Sequence, residues 1–273
     1  MTPTEVRRLL TELDLRPSRA LGQHFLIDQN IRDLILRHAD VRSDETVIEI
    51  GPGLGALTAH LHRQAARLIA IERDPRLAEF LRKRFAGIEL IVGDAVGVLR
   101  SGRFEHLPST YKIVSNLPYS ISSAVLETVV ESPQKPRLMV LTMQREVALR
   151  LAATPRHKDY GALTVFTQLY YHVTIAHVVS PHCFYPEPRV DSAIVVLDRR
   201  EPRIRLQKNA PFQQLVRAGF RQRRKMLRKL LAGHDGLADA LRAAGVSPMA
   251  RAEELSLEQW IVLANAIGSS TKV

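Results

Sequence analysis

At 273 residues, with 45% hydrophobic and 25% charged side chains, the chain is long enough for a sizeable core and roughly two domains, which excludes a fibrous or wholly disordered protein. The formal charge of +11 points to a polyanionic partner, because each Lys or Arg that meets a phosphate releases condensed counterions. No apolar run approaches the ~20 residues of a membrane helix, residues 1–16 lack the unbroken apolar stretch of a signal peptide, and one cysteine, Cys183, allows neither an internal disulfide nor a thiolate metal site, so a cytoplasmic protein without metal or membrane contact is expected.

The first regular pattern is the strand Thr46-Val47-Ile48-Glu49-Ile50, followed by the glycine turn Gly51-Pro52-Gly53-Leu54-Gly55, a helix over 56–63 and the strand Leu68-Ile69-Ala70-Ile71. Short apolar strands alternating with helices pair in parallel through right-handed crossovers. Further strands are predicted at 89–92, 112–115, 137–142, 173–179 and 192–197, which gives an open, doubly wound α/β sheet. A proline-rich loop joins the last two as an antiparallel edge hairpin.

After Arg200 the pattern turns helical, over 211–231, 236–244 and 256–267, so the domain boundary falls near 200: a catalytic domain over 1–199 and a small, all-helical, basic domain over 200–273. The second holds 14 Lys and Arg against 6 Asp and Glu, a concentration that favours nucleic acid over diffuse charge. Along the helix predicted at 211–231, Arg217, Arg221, Arg224 and Arg228 recur at helical spacing with no interleaved carboxylates. They predict one continuous stripe that contacts phosphate.

Gly51 and Gly53 follow a strand and open a helix, where missing Cβ atoms let the backbone approach a ligand, although a structural turn has the same appearance. Glu72 ends the next strand, where a carboxylate can accept both hydroxyls of a ribose. Asp94 ends a third, placed to accept from an adenine amine or to cap the helix that follows. These strand ends suit a nucleoside-containing ligand, and both a nicotinamide dinucleotide and S-adenosylmethionine fit them. The spacing G-x-G-x-G is not the dinucleotide fingerprint, and no residue accounts for hydride transfer.

Asn116-Leu117-Pro118-Tyr119 follows the fourth strand directly. An amine conjugated to an aromatic ring is a weak nucleophile, and two acceptors aimed at its N–H bonds draw it toward tetrahedral geometry. The side-chain carbonyl of Asn116 and the backbone carbonyl of Leu117 or Pro118 can supply them, and Tyr119 can stack on the base. A sulfonium methyl donor is already activated, so alignment and preorganised hydrogen bonds are the protein's main contribution. Phe184 is expected to form a second wall around an extruded base, against the alternative of a packed loop aromatic.

With these motifs in view the chain resembles the ribosomal RNA adenine N6,N6-dimethyltransferase family, closest to its bacterial small-subunit members, along nearly its whole length. The resemblance rests on Leu21 to Leu26, Glu49 to Gly55, Asn116 to Tyr119, Phe184 to Ser192, Gln222-Arg223-Arg224-Lys225 and Arg251 to Ser256. It implies a Rossmann-like methyltransferase domain with a small helical C-terminal domain, and S-adenosylmethionine contacts at His24, Leu26, Gly51, Glu72, Asp94 and Asn116. The implied substrate is a pair of adjacent adenosines in the 3′-terminal hairpin loop of small-subunit ribosomal RNA, dimethylated within an immature 30S subunit by a monomeric enzyme. Bacterial members usually carry Asn where this chain has His24, whose imidazole donates or accepts like an amide but also titrates. The competing readings are a macrolide-resistance methylase of large-subunit RNA and an assembly or nucleic-acid-binding factor with secondary catalysis.

Overall fold

The structure, a computed structural model, describes residues 1–17 and 22–270, so Leu21 of the first motif lies outside the described residues. The chain divides into two compact units, Met1–Ala148 with His172–Arg199, and Leu149–Tyr171 with Arg200–Val273.

The strands, in chain order, are β1 (Phe25–Leu26), β2 (Thr46–Ile50), β3 (Arg67–Glu72), β4 (Glu89–Val92), β5 (Lys112–Asn116), β6 (Leu138–Gln144), β7 (Tyr171–Val179), β8 (Phe184–Tyr185) and β9 (Ser192–Arg199). Seven of them form one sheet in the order β4-β3-β2-β5-β6-β9-β7, while β1 and β8 pair separately and antiparallel. The pairs β3–β4, β2–β3, β2–β5 and β5–β6 are parallel, and β9 runs antiparallel to β6. All five residues of β2 are buried, which is why the central strands read as unbroken apolar runs rather than as alternations.

The strand order reverses between β2 and β5, and in open α/β sheets ligands bind at the carboxyl ends of strands beside such a switch point. The helix Gln29–Ala39 lays Ile31, Ile35 and Ala39 on Val114, Val140 and Ile194 of the sheet. The N-terminal helix Pro3–Glu12 buries Val6, Leu9 and Leu10 with Phe25, Leu54 and Leu77. Central β5 begins with a fully buried Lys112, whose ammonium pairs with Glu45 at 2.6 Å and donates to the carbonyls of Ala39 and Asp40.

The second unit is helical, over Ala162–Tyr170, Phe212–Phe220, Leu227–Leu230, Leu237–Ala243 and Leu257–Ser270. Where one boundary near 200 is predicted, Leu149–Tyr171 also belongs to this unit, grouped with the C-terminal helices. Phe166 meets Phe212 with ring centroids 6.3 Å apart, Tyr160 meets Phe220 at 6.0 Å, and the Tyr160 hydroxyl donates to the Leu255 carbonyl at 2.9 Å. The single helix predicted over 211–231 is corrected. It stops at Phe220 and resumes at Leu227, because the Leu227 N–H donates to the Ala250 carbonyl at 2.8 Å and Met226 bridges to Arg251. A Cβ on Gly219 would lie 2.6 Å from the Trp260 ring and 2.9 Å from Leu227, so only glycine lets the chain fold back there.

Candidate active site

A pocket of about 990 Å³, counted with its open mouth, lies at the carboxyl ends of β2 to β5 and is lined by both the glycine turn and the tetrapeptide. Gly51 has φ +68°, a conformation that L side chains rarely adopt, and its N–H donates to the Ile71 carbonyl at 2.9 Å. A Cβ there would sit 3.0 Å from Cδ and Cγ of Pro118. The cofactor-type turn and the catalytic-type tetrapeptide are therefore in direct contact.

Glu72 ends β3 at 5% exposure and lines the pocket. Its carboxylate accepts the Gly53 N–H at 3.1 Å and the Asp74 N–H at 2.9 Å, which ties the strand end to the glycine turn. Burial raises its titration above the ordinary carboxylate range, against the pull of those backbone donors. A carboxylate offers about four lone-pair sites, so ribose hydroxyls remain compatible with both bonds. Asp94 lines the pocket and also caps the helix Ala95–Arg100, its Oδ2 accepting the Gly97 N–H at 3.0 Å.

Asn116 is the most informative residue. Its Nδ2 donates to the His24 carbonyl at 2.9 Å, which fixes the amide so that Oδ1 points the other way. That oxygen is buried and has no hydrogen-bond partner. Buried acceptors are normally satisfied, so an orphan in a pocket wall marks where a ligand's donor belongs. Leu117 N–H donates to the Thr142 carbonyl at 3.0 Å, holding the tetrapeptide to β6. The Pro118 carbonyl already accepts from Ile121 N–H at 3.1 Å and Ser122 Oγ at 3.2 Å, which leaves Leu117 as the backbone acceptor not engaged in that turn.

Tyr119 lines the pocket with its hydroxyl bonded to Ser192 Oγ, and burial raises its titration. Its ring lies 5.1 Å from that of His24, tilted by 31°. His24 Nδ1 lies 2.6 Å from the Pro186 carbonyl, and since a carbonyl only accepts, Nδ1 carries the proton. His24 and Leu26 both line the pocket, so all the sequence-predicted cofactor positions, Gly51, Gly53, Glu72, Asp94, Asn116, His24 and Leu26, converge there.

Phe184 does not join them. It pairs with Leu26 across β1 and β8, is 1% exposed, and packs in the core with Ile35, Val179 and Ile194. Two residues that the sequence reading quoted without a role do matter locally: Ser192, which anchors Tyr119, and Glu49 on β2. Glu49 is 2% exposed, lines the pocket and accepts from Thr58 Oγ1 at 2.7 Å. An acid inside an apolar strand was the available signal for it.

In the second unit Arg221, Arg224 and Arg228 are exposed, and Arg217 lies over the Phe166 ring at 5.4 Å. Because the helix breaks after Phe220, they form no single helical stripe. Neighbouring Arg223 pairs with Glu253 at 2.6 Å and serves the fold. Among the described residues no helix is long and apolar enough to cross a membrane.

Residues 16–268 match the model of a family described as ribosomal RNA adenine dimethylase. The chain is 39% identical to ribosomal RNA small subunit methyltransferase A of Halothermothrix orenii over 280 residues, covering 97% of this chain and 93% of that protein. Its counterpart in Geobacter metallireducens is 38% identical over 264 residues, with coverages of 93% and 96%. Among solved structures, a dimethyladenosine transferase from Plasmodium falciparum matches with a TM-score of 0.75 at 26% identity, covering 88% of this chain and 96% of that one. The 23S rRNA methyltransferase ErmE matches with a TM-score of 0.67 at 30% identity, covering 89% and 99%.

Proposed function

Because the chain belongs to the ribosomal RNA adenine dimethylase family, we propose that it transfers methyl groups from S-adenosylmethionine to N6 of two adjacent adenosines in the 3′-terminal hairpin loop of small-subunit ribosomal RNA. Each adenosine becomes N6,N6-dimethyladenosine during assembly of the 30S subunit. The observation that carries this reading is Asn116 Oδ1, a buried acceptor without a partner, held in orientation by the His24 carbonyl on the same amide.

The glycine turn, Glu72 and Asp94 would hold the methyl donor, whose sulfonium supplies an electrophilic methyl when bound. The protein's own groups act on the base. In the first transfer Asn116 Oδ1 accepts one N–H of the exocyclic amine and the Leu117 carbonyl the other, and in the second the remaining N–H keeps one of these acceptors, which localises the nitrogen lone pair and aims it. Tyr119, anchored through Ser192, gives the base a face to stack on. No strong base is needed, because the amine sheds its acidic proton to water after transfer. Arg217, Arg221, Arg224 and Arg228 supply phosphate contacts from the second unit, and one copy of the chain suffices for the chemistry.

Incubating small subunits that lack this modification with the protein and methyl-labelled S-adenosylmethionine, then mapping the labelled bases, tests the proposal. Four methyl groups on two adjacent adenines are expected. Label confined to large-subunit RNA would overturn it in favour of the macrolide-resistance reading, and RNA binding without label would favour an assembly factor.

A further inference from the structure

The pocket is acidic in a chain whose formal charge is +11. Three carboxyl groups line it: Glu49 on β2, Glu72 ending β3 and Asp94 after β4. Glu49 is the most enclosed, and among the described residues no Lys or Arg forms an ion pair with it. Thr58, from the helix Thr58–Gln64, donates to it. The other charged or titratable groups among the pocket's lining residues are Glu72, which acts on it directly, and Asp94, Arg73, His24, Tyr119 and Met1. A carboxyl buried without a cation keeps its proton, since ionising it there forfeits hydration that nothing replaces. Burial pushes Glu49 up to about 8 against the Thr58 hydrogen bond, and the charge of Glu72 adds to the rise.

We propose that Glu49 is a specificity-determining residue for a cationic ligand: protonated before the ligand enters, it releases its proton to solvent when positive charge arrives and becomes the counter-charge. This rests on the reading of the pocket as the S-adenosylmethionine site. Only a proton moves: the carboxylic acid becomes a carboxylate, and the proton passes to buffer. Methyl transfer converts the sulfonium to an uncharged thioether, so Glu49 recovers its proton and the pocket loosens its hold on the product.

Calorimetric titration of the full chain near pH 7, in phosphate and in Tris, with S-adenosylmethionine and separately with S-adenosylhomocysteine, tests this. A buried carboxyl that holds its proton at pH 7 gives it up when it ionises, so net proton release is expected with the sulfonium ligand. Less than half of that is expected with the thioether. Glu49→Gln should release fewer protons with the sulfonium ligand and lose the difference between the two ligands. Buffer-independent heats in the unaltered protein overturn the proposal with no variant needed, as does an unchanged proton count in Glu49→Gln. Absence of heat in every buffer removes the cofactor reading itself, a separate and recognisable result.

Discussion

Replacing Asn116 with Ala removes two interactions with different consequences. Oδ1 is the acceptor assigned to the amine, and deleting one preorganised hydrogen-bonding group at a reacting centre typically lowers kcat by about 10²–10³, or about 2.7–4 kcal/mol. Nδ2 donates to the His24 carbonyl at 2.9 Å, and losing a neutral bond of that kind lowers stability by about 0.5–1.5 kcal/mol, more where the carbonyl stays dry. The variant should fold with a small loss in urea denaturation, bind cofactor and RNA within several-fold of the parent, and transfer methyl groups about a hundred- to a thousandfold more slowly at saturating substrate. Asn116→Asp should not restore turnover, because a carboxylate has no N–H for His24 and sets oxygen against oxygen. Methyl incorporation measured alongside calorimetry separates the effects. Turnover within tenfold of the parent, or a loss confined to the KM for RNA, would refute the role given to Oδ1.

Gly51→Ala should lower both cofactor affinity and melting temperature: the left-handed conformation alone costs about 1–2 kcal/mol, and the new methyl meets Pro118 at 3.0 Å. An unchanged affinity in direct titration would contradict this contact. Phe184→Ala should destabilise the protein by about 3–5 kcal/mol in urea denaturation, as removal of a core aromatic does. A stable variant with a raised KM for RNA would return the ring to the pocket. Replacing Arg221, Arg224 and Arg228 together with Ala should flatten the dependence of RNA affinity on salt, by up to about 0.7–0.9 in log–log slope per lost phosphate contact. An unaltered slope would show these residues to be solvated only.

The centre of the sheet was legible because its strands are buried on both faces, so β2, β3 and β5 announce themselves as apolar runs, β2 leading into Gly51 and the others ending in Glu72 and Asn116. Their convergence followed from topology alone. Arg221, Arg224 and Arg228 kept a helical spacing through a segment that is not helical, because the break is imposed by main-chain pairing with Ala250 and Arg251, which no local pattern reports. The allegiance of 149–171 was hidden for the same reason, being set by rings such as Phe212 far along the chain. At Phe184 the residue type allowed either a core or a pocket position, and its burial follows from the pairing of β8 with β1, which no local pattern reports. His24 was found, but for its imidazole. The bond to Asn116 comes from its main-chain carbonyl, which any side chain at that position would provide.

β9 is the last strand of the sheet in sequence, yet it sits between β6 and β7. Its first residue, Ser192, pairs with Gln144 and bonds the Tyr119 hydroxyl, and the loop before it carries Pro186 to His24. A chain emerging from its N-terminus therefore has the ends of β2 to β5 that line the pocket once Asn116 is out, while the support for Tyr119 waits on a long-range insertion. Such non-local pairing is slow compared with helix formation. Until it happens β6 presents an unpaired edge, an invitation to association with other chains. The wall of the pocket that Tyr119 forms is therefore completed by the last strand of the sheet, long after the ends of β2 to β5 have been made.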